Sequence, residues 1–388
     1  PSAVVTPPPP PPLDRYRLFA ADAADGTGSV APTTTATEIY QNGVSLGVFE
    51  PGQVWTGAVA DFDEFVASAP IYGTVRAGGT HVMVPEAFRG TDFAFGNSRR
   101  ATLGIWIRAL EQAVDDCSVT SSGGTQSTGA IAADSGSYVE ISGEQGEAQS
   151  VMLSCAADVV VGVGHPGETD YMSIPPLSTR AIGVASTVLV LSAPEAVTVT
   201  EVCSDGSEAT IEVAGGPSGG VYQPGYGAQF NGKACIYTAG GMPFHAHALG
   251  DGDGGDSVTF LEERLLSSSF AASTDYEFLA FASFGAGTCT IGDTTVSIDT
   301  CSGGVCKGRV GAGSAGTTVS CDVPVWTVLE CSATQDEQIA FGDFPSAVVT
   351  PPPPPTLDRY RLFAADAADG TGSVAPTTTA TEIYQNGV

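Results

Sequence analysis

Apolar and polar residues alternate along much of this chain with a period of two residues. The alternation is clear in segments 137–141, 186–191, 197–202 and 276–281. This period is typical of β-strands that bury one face. Segment 102–115 has the length of a helix, but its first half is apolar and β-branched, so we predict a strand there as well. The pattern predicts an all-β protein.

A long segment of the chain occurs twice. Residues 1–44 return as residues 345–388, and the two copies differ only where Pro12 is replaced by Thr356. The offset is 345 minus 1, or 344 residues, so the chain reads as one period of a tandem array followed by the start of the next. Near-identical units repeat the same contacts with their neighbours, which is what a fibre requires.

Weaker similarities occur within each period. Pro51, Pro224 and Pro324 each open a similar strand pattern, and Gly/Ser-rich stretches at 121–129, 214–220 and 311–316 are candidate boundaries. The fold class expected from these features is a tandem array of disulfide-stapled β-sandwich modules, Ig-like or Greek-key, with a polyproline II loop. The expected modules are residues 1–46, 47–133, 134–214, 215–316 and 317–388.

Composition narrows the classes of function. The 388 residues carry 43 acidic and 14 basic side chains, a formal net charge of −29. Nucleic acid is therefore a poor partner, because two polyanions repel. No apolar run reaches the roughly 18 residues of a membrane span, so we expect no membrane insertion. The remaining alternative for the charge is a solvated face without a specific role.

Nine cysteines lie between Cys117 and Cys331 without the paired spacing of a zinc site. Disulfides are the better interpretation, and they imply an oxidising, extracellular or cell-surface location. The matching positions of Cys155 and Cys203, and of Cys235 and Cys289, suggest one bridge in each of two modules, and Cys301 with Cys306 suggests a turn clasp. Cys321 then pairs with Cys331 and leaves Cys117 free, or Cys117 links to an adjoining module.

The sequence contains two contiguous proline tracts, which must take the extended polyproline II form. They follow Thr6 and Thr350. The tracts resemble the proline blocks of plant and algal hydroxyproline-rich glycoproteins, including the repetitive proteins of flagellar mastigonemes. The resemblance implies hydroxylated and O-glycosylated prolines, with sugar on nearby threonines; the other interpretation is an exposed loop of low complexity. The residues concerned are Pro7, Pro8, Pro9, Pro10, Pro11, Pro12, Pro351, Pro352, Pro353, Pro354, Pro355, Thr33, Thr34, Thr35 and Thr37.

Two segments carry candidate metal ligands, although no cofactor is required by the sequence. His245 and His247 would lie on one face of a strand, a spacing suited to copper or zinc, or would be ordinary half-exposed strand residues. Asp251, Asp253 and Asp256 offer hard oxygen ligands for Ca²⁺, but Asp and Gly are also the residues that tight turns select.

These observations predict a non-catalytic structural protein. We expect a repeat unit of an extracellular filament that polymerises by tandem covalent repetition, with neighbouring repeats of the same protein as its partners. The alternative is the stalk of a surface adhesin in which some modules bind calcium or carbohydrate.

Overall fold

The structure is a computed structural model that describes residues 16–24, 26–96, 102–142, 150–165, 171–217, 219–224, 230–249 and 257–343. Its described strands form four consecutive β-sandwiches, and all strand pairs are antiparallel. The all-β, disulfide-stapled fold predicted from the sequence is confirmed. Both proline tracts lie outside the described residues, so their conformation stays a prediction.

The first two sandwiches occupy residues 16–85 and 90–174. The strands of the first are β1 (Tyr16–Phe19), β2 (Gly26–Pro32), β3 (Thr37–Gln41), β4 (Val44–Phe49), β5 (Trp55–Val59), β6 (Glu64–Ala67), β7 (Ile71–Ala77), β8 (Gly79–Val82) and β9 (Val84–Pro85). The strands of the second are β10 (Gly90–Gly96), β11 (Thr102–Ala109), β12 (Cys117–Ser121), β13 (Gly124–Ser127), β14 (Gly136–Ser142), β15 (Ser150–Gly164) and β16 (Tyr171–Ile174).

The third and fourth sandwiches occupy residues 180–259 and 267–340. The strands of the third are β17 (Arg180–Val184), β18 (Val188–Ser192), β19 (Val197–Cys203), β20 (Glu208–Val213), β21 (Val221–Pro224), β22 (Ala234–Ala239), β23 (His245–Leu249) and β24 (Ser257–Thr259). The strands of the fourth are β25 (Ser267–Ala271), β26 (Tyr276–Ser283), β27 (Gly287–Ile291), β28 (Thr294–Ile298), β29 (Thr300–Ser302), β30 (Val305–Val310), β31 (Thr318–Cys331) and β32 (Glu337–Ala340).

All four sandwiches share one topology. In the third, the sheets have the orders β17-β22-β19-β20 and β21-β18-β23-β24, which are positions 1-6-3-4 and 5-2-7-8 along the chain. The first sandwich has the same two orders, with β9 added beside β1. In the second and fourth, one long strand, β15 or β31, supplies both position 6 and position 7. The four sandwiches are therefore versions of one unit.

The local sequence explains where positions 6 and 7 are separate strands. In the first sandwich Pro70 lies between β6 and β7, and in the third Gly240, Gly241 and Pro243 lie between β22 and β23. These residues interrupt a strand because proline lacks a donor and glycine has no side chain to pack. In β31, Pro324 falls between the two paired segments, where it does not break a ladder.

The sheets group the chain differently from the modules expected at 1–46, 47–133, 134–214, 215–316 and 317–388. The expected boundaries fall inside sandwiches, because the Gly/Ser-rich stretches are connections within them. Stretch 121–129 includes the β12–β13 hairpin, 214–220 joins β20 to β21, and 311–316 joins β30 to β31. The connection between the first and second sandwiches contains a short 3₁₀ turn at Glu86–Phe88, and the connection between the third and fourth contains one at Glu263–Leu265.

Within the described ranges, neither of these helical turns has the length or apolar character needed to span a lipid bilayer.

Candidate functional site

The surfaces through which the sandwiches contact one another, here called the joints, contain several buried polar and charged side chains. The strands at position 8 meet in sequence, because β8 contacts β16, β16 contacts β24, β24 contacts β32, and β32 contacts β8. The strand at position 1 of one sandwich also contacts the strand at position 2 or position 7 of the next. Examples are β10 with β18 and β25 with β7. The four sandwiches therefore form a closed cycle within residues 16–343.

The joint between the fourth and first sandwiches completes this cycle. Tyr72 is fully buried, its hydroxyl donates to the Ile339 carbonyl at 3.2 Å, and its ring meets Phe341 edge-on at 5.4 Å. The hydroxyls of Thr74 and Ser273 lie 2.8 Å apart across the same joint. Aromatic packing and specific hydrogen bonds therefore act together here, as in a stable protein interface.

The joint between the third and fourth sandwiches has a related arrangement. Trp326 is fully buried, its Nε1 donates to the Thr259 carbonyl at 2.8 Å, and its ring meets Phe260 edge-on at 5.7 Å. At the periphery, Lys307 donates to the Asn231 carbonyl at 2.7 Å. In both joints, a buried aromatic side chain of one sandwich hydrogen-bonds a backbone carbonyl of its neighbour.

The joint between the first and second sandwiches buries charge. Arg17 is 8 % exposed and pairs with Glu64 in its own sandwich and with Glu111 and Asp134 in the second. Burial lowers the pKa of Arg17, but the surrounding carboxylates outweigh burial and raise it above its ordinary value. The Phe19 ring lies beneath this guanidinium, 5.2 Å from it. The guanidinium is therefore a charged connection between two sandwiches.

The joint between the second and third sandwiches contains His245 and His247. Both imidazoles are buried, with 3 % and 0 % of their surface exposed, and their ring centroids are 5.5 Å apart. Burial lowers the pKa of His245 to about 3 and that of His247 well below its ordinary value. The expectation that they are half-exposed strand residues is wrong, because the second sandwich covers the face on which they lie.

Three disulfides occupy equivalent places, each joining the strands at positions 3 and 6. They are Cys117–Cys155, Cys203–Cys235 and Cys289–Cys321, and each joins residues directly opposite in the ladder. The fourth, Cys301–Cys306, clasps the β29–β30 hairpin as predicted.

The other predicted pairings are wrong. Cys155 does not pair with Cys203, Cys235 does not pair with Cys289, and Cys117 is not free. The prediction grouped cysteines by modules whose boundaries fall inside the sandwiches.

Cys331, predicted to pair with Cys321, is a free thiol with 1 % of its surface exposed. It lies at the joint between the fourth and first sandwiches, with Sγ 3.5 Å from the Thr80 hydroxyl and 3.4 Å from that of Thr274. Burial raises the pKa of Cys331, but hydrogen bonds between its sulfur and neighbouring threonine side chains outweigh burial and bring the pKa below its ordinary value. Among the described cysteines it has no partner within bonding distance.

The remaining candidate sites divide into buried, exposed and undescribed residues. Thr33 is 3 % exposed and its hydroxyl donates to the Pro70 carbonyl at 3.1 Å, so its assignment as a glycosylation site is wrong. Thr37 is also buried, whereas Thr34 and Thr35 are exposed and stay predicted sites. Asp251, Asp253 and Asp256 lie outside the described residues.

One group of metal-ligating residues emerges from the described part of the chain, namely Glu201 with Cys203 and Cys235. The two cysteines form a disulfide, and the Glu201 carboxylate lies 3.5 Å from the Lys233 ammonium. A disulfide lacks the thiolates that a metal ion would bind. This group is therefore a structural element of the third sandwich.

Comparison with known proteins found no matching family model, no similar curated protein and no similar solved structure. The four disulfides are compatible with an oxidising compartment. The features of the molecule that bear on function are therefore the tandem repetition, the shared topology and the joints.

Proposed function

We propose that this chain is a structural repeat unit of an extracellular filament, in which the units are joined covalently in tandem. The observation that carries the proposal is the return of residues 1–44 as residues 345–388 with one difference. An enzyme gains nothing from repeating a block of this size almost unchanged, whereas a filament requires identical contacts in every period. The role is mechanical, and we assign no catalytic step to it.

The repeated segment supports this proposal through the elements that it encodes. In the first copy it contains β1 to β3, which supply the joint residues Arg17 and Phe19 and the fully buried Ile39. The second copy carries the same side chains as Arg361, Phe363 and Ile383. The sequence after the fourth sandwich therefore encodes the beginning of another first sandwich, with the residues that contact a second sandwich.

The joints and the staples support a mechanical role. Cross-strand disulfides hold three of the four sandwiches, and aromatic anchors such as Tyr72 and Trp326 hold neighbouring sandwiches together. Within residues 16–343, the contacts between sandwiches run from the first through the fourth and back to the first. The high negative charge keeps such a polymer solvated.

We further propose that the proline tracts connect successive units and carry O-linked sugar. A tract of six prolines spans roughly 19 Å in the polyproline II form, which suits a stiff connection. Thr34 and Thr35 are exposed beside β3 and available for sugar. The extracellular location follows from the same chemistry, since disulfides and such glycans are both made on the secretory route.

Mass analysis of the native protein tests the proposal. The expected result is a polypeptide whose length is a multiple of 344 residues, with hydroxyproline and sugar in peptides that contain Pro7–Pro12 or their equivalents. Peptides from the described sandwiches that lack Thr34 and Thr35 are the internal control, and they should carry neither hydroxyproline nor sugar. A native chain that contains the period only once would refute the filament proposal, and unmodified proline tracts would refute only the glycosylation.

A further inference from the structure

His245 and His247 lie at a joint rather than in a sandwich core. They alternate along β23 with Ala246 and Ala248, which belong to the core, so the two imidazoles point to the opposite face of the sheet. The second sandwich covers that face through β10. A Cβ atom built on Gly96 of β10 would lie only 3.2 Å from Cε1 of His247. The pair is therefore enclosed between the second and third sandwiches.

All four ring nitrogens of this pair are buried without a hydrogen-bond partner among the described residues. A neutral imidazole carries one donor and one acceptor, and leaving both unpaired in the interior is unfavourable. The other two histidines differ, because His81 Nε2 lies 2.8 Å from the Ala21 carbonyl and His165 Nδ1 bonds the Thr102 carbonyl. Among the described histidines, His245 and His247 are therefore the two whose ring nitrogens have no hydrogen-bond partner in the protein.

The spacing of the two rings fits a single metal ion. A transition metal binds an imidazole nitrogen at about 2.0–2.1 Å, which puts the ion about 3.2 Å from the ring centre. With centroids 5.5 Å apart, one ion between the rings would subtend a nitrogen–metal–nitrogen angle of about 120°, close to the tetrahedral value. The separation of the two rings is therefore compatible with one shared ion.

Hydroxyl groups lie beside the pair. Ser192 is directly opposite His245 in the β18–β23 ladder, so the two side chains share a face. Its hydroxyl accepts from Ser150 of the second sandwich at 3.0 Å. A Cβ atom at Gly96 would lie 3.5 Å from the Ser192 hydroxyl. Ser192 and His247 therefore both lie next to Gly96. A hydroxyl oxygen therefore lies on the same face of the sheet as the two imidazoles.

We propose that His245 and His247 bind one Zn²⁺ or Cu²⁺ ion at the joint between the second and third sandwiches. Neutral imidazole is a preferred ligand of both metals, and the absence of neighbouring carboxylates in the β18, β23 and β24 ladders disfavours Ca²⁺ and Mg²⁺. In each neutral imidazole, one ring nitrogen carries a proton and the other keeps a lone pair that can bind the ion. The bound ion would satisfy one buried nitrogen of each ring and stabilise this joint.

The test uses the full chain stripped with a chelator and then given Zn²⁺ or Cu²⁺, in excess Mg²⁺ so that surface carboxylates are occupied. Equilibrium dialysis with elemental analysis should find one ion per chain, and the melting temperature should rise on addition of the ion. The double variant His245→Asn with His247→Asn should bind at least about 100-fold more weakly. The matched control His165→Asn should bind as the unaltered chain does.

A spectroscopic measurement on the unaltered chain keeps the test decisive if the double variant does not fold. Electron paramagnetic resonance of the Cu²⁺ form should show hyperfine coupling to two imidazole nitrogens. A stoichiometry well below one, equal affinity in the double variant, or a signal from oxygen ligands alone would overturn the proposal. None of these outcomes bears on the filament proposal, which does not depend on a metal ion.

Discussion

Glu330 is a carboxyl group with 4 % of its surface exposed at the end of β31, where it lies opposite Glu337 of β32. Burial, with Coulomb repulsion from Glu337 and Glu277, raises the pKa of Glu330 to about 7. Because its pKa in the folded state is above that in the unfolded state, its contribution to stability is fully present below about pH 4.5. That contribution is lost as the pH rises through 7.

The substitution Glu330→Gln tests this pH dependence. At pH 8 the variant should melt at a higher temperature than the unaltered chain, because it no longer buries a charge beside two other carboxylates. At pH 4.5 the two should melt at similar temperatures. Thermal unfolding at both pH values measures the effect, and Glu195→Gln, at an exposed position, is the matched control. Equal stabilisation at both pH values would contradict the assignment.

Two substitutions of Tyr72 separate the contributions of hydrogen bonding and packing to the stability of the joint between the fourth and first sandwiches. Tyr72→Phe should cost about 0.5–1.5 kcal/mol, since it removes one buried hydrogen bond and keeps the ring. Tyr72→Ala should cost about 3–5 kcal/mol, since it also empties the space against Phe341. Denaturant unfolding gives both values. If the two variants lose the same stability, the ring does not anchor this joint.

At the scale of elements, the strands could be predicted because alternation is local. Segments 137–141 and 197–202 match β14 and β19, and 102–115 contains β11 rather than a helix. Prediction of the disulfide pairing depends on a repeat much longer than the two-residue alternation of a strand. Cys117, Cys203 and Cys289 follow one another at a constant spacing of 86 residues, since 203 minus 117 and 289 minus 203 are both 86. This spacing identifies equivalent strands. The boundaries were missed because a Gly/Ser-rich hairpin resembles a linker in sequence.

The disulfides should contribute different amounts to the free energy of unfolding, according to the length of the loop that each closes. Replacing Cys203 and Cys235 by alanine opens a loop with a sequence separation of 32 and should cost about 3–4 kcal/mol. Replacing Cys301 and Cys306, with a separation of 5, should cost about 2 kcal/mol. Cys331→Ser breaks no disulfide and is the control. Equal losses for both pairs would mean that loop closure does not govern their effect.

The joints could not be predicted from sequence, because they bring together residues far apart in the chain. Tyr72 contacts Ile339 across the joint of the fourth and first sandwiches, and Trp326 contacts Thr259 across the joint of the third and fourth. The enclosure of His247 has the same origin, because the second sandwich covers it. A local pattern identifies a strand residue, but the neighbouring sandwich decides whether its outer face is exposed.

At the scale of the whole molecule, one topology used four times gives a unit with similar joints between successive sandwiches. Repeated contacts between similar units produce either closed rings or open filaments, according to whether the rotation closes. Residues 16–343 close their cycle when β32 contacts β8. Propagation along a filament then depends on the covalent connection through residues 344–359 and on the next copy of the first sandwich.

Electron cryomicroscopy of the native assembled material tests the filament most directly. We predict a filament whose axial repeat corresponds to 344 residues, with density for four β-sandwiches in each period and continuous chain between periods. A purified protein that forms only compact single particles, or a filament whose repeat does not match four sandwiches, would contradict this prediction.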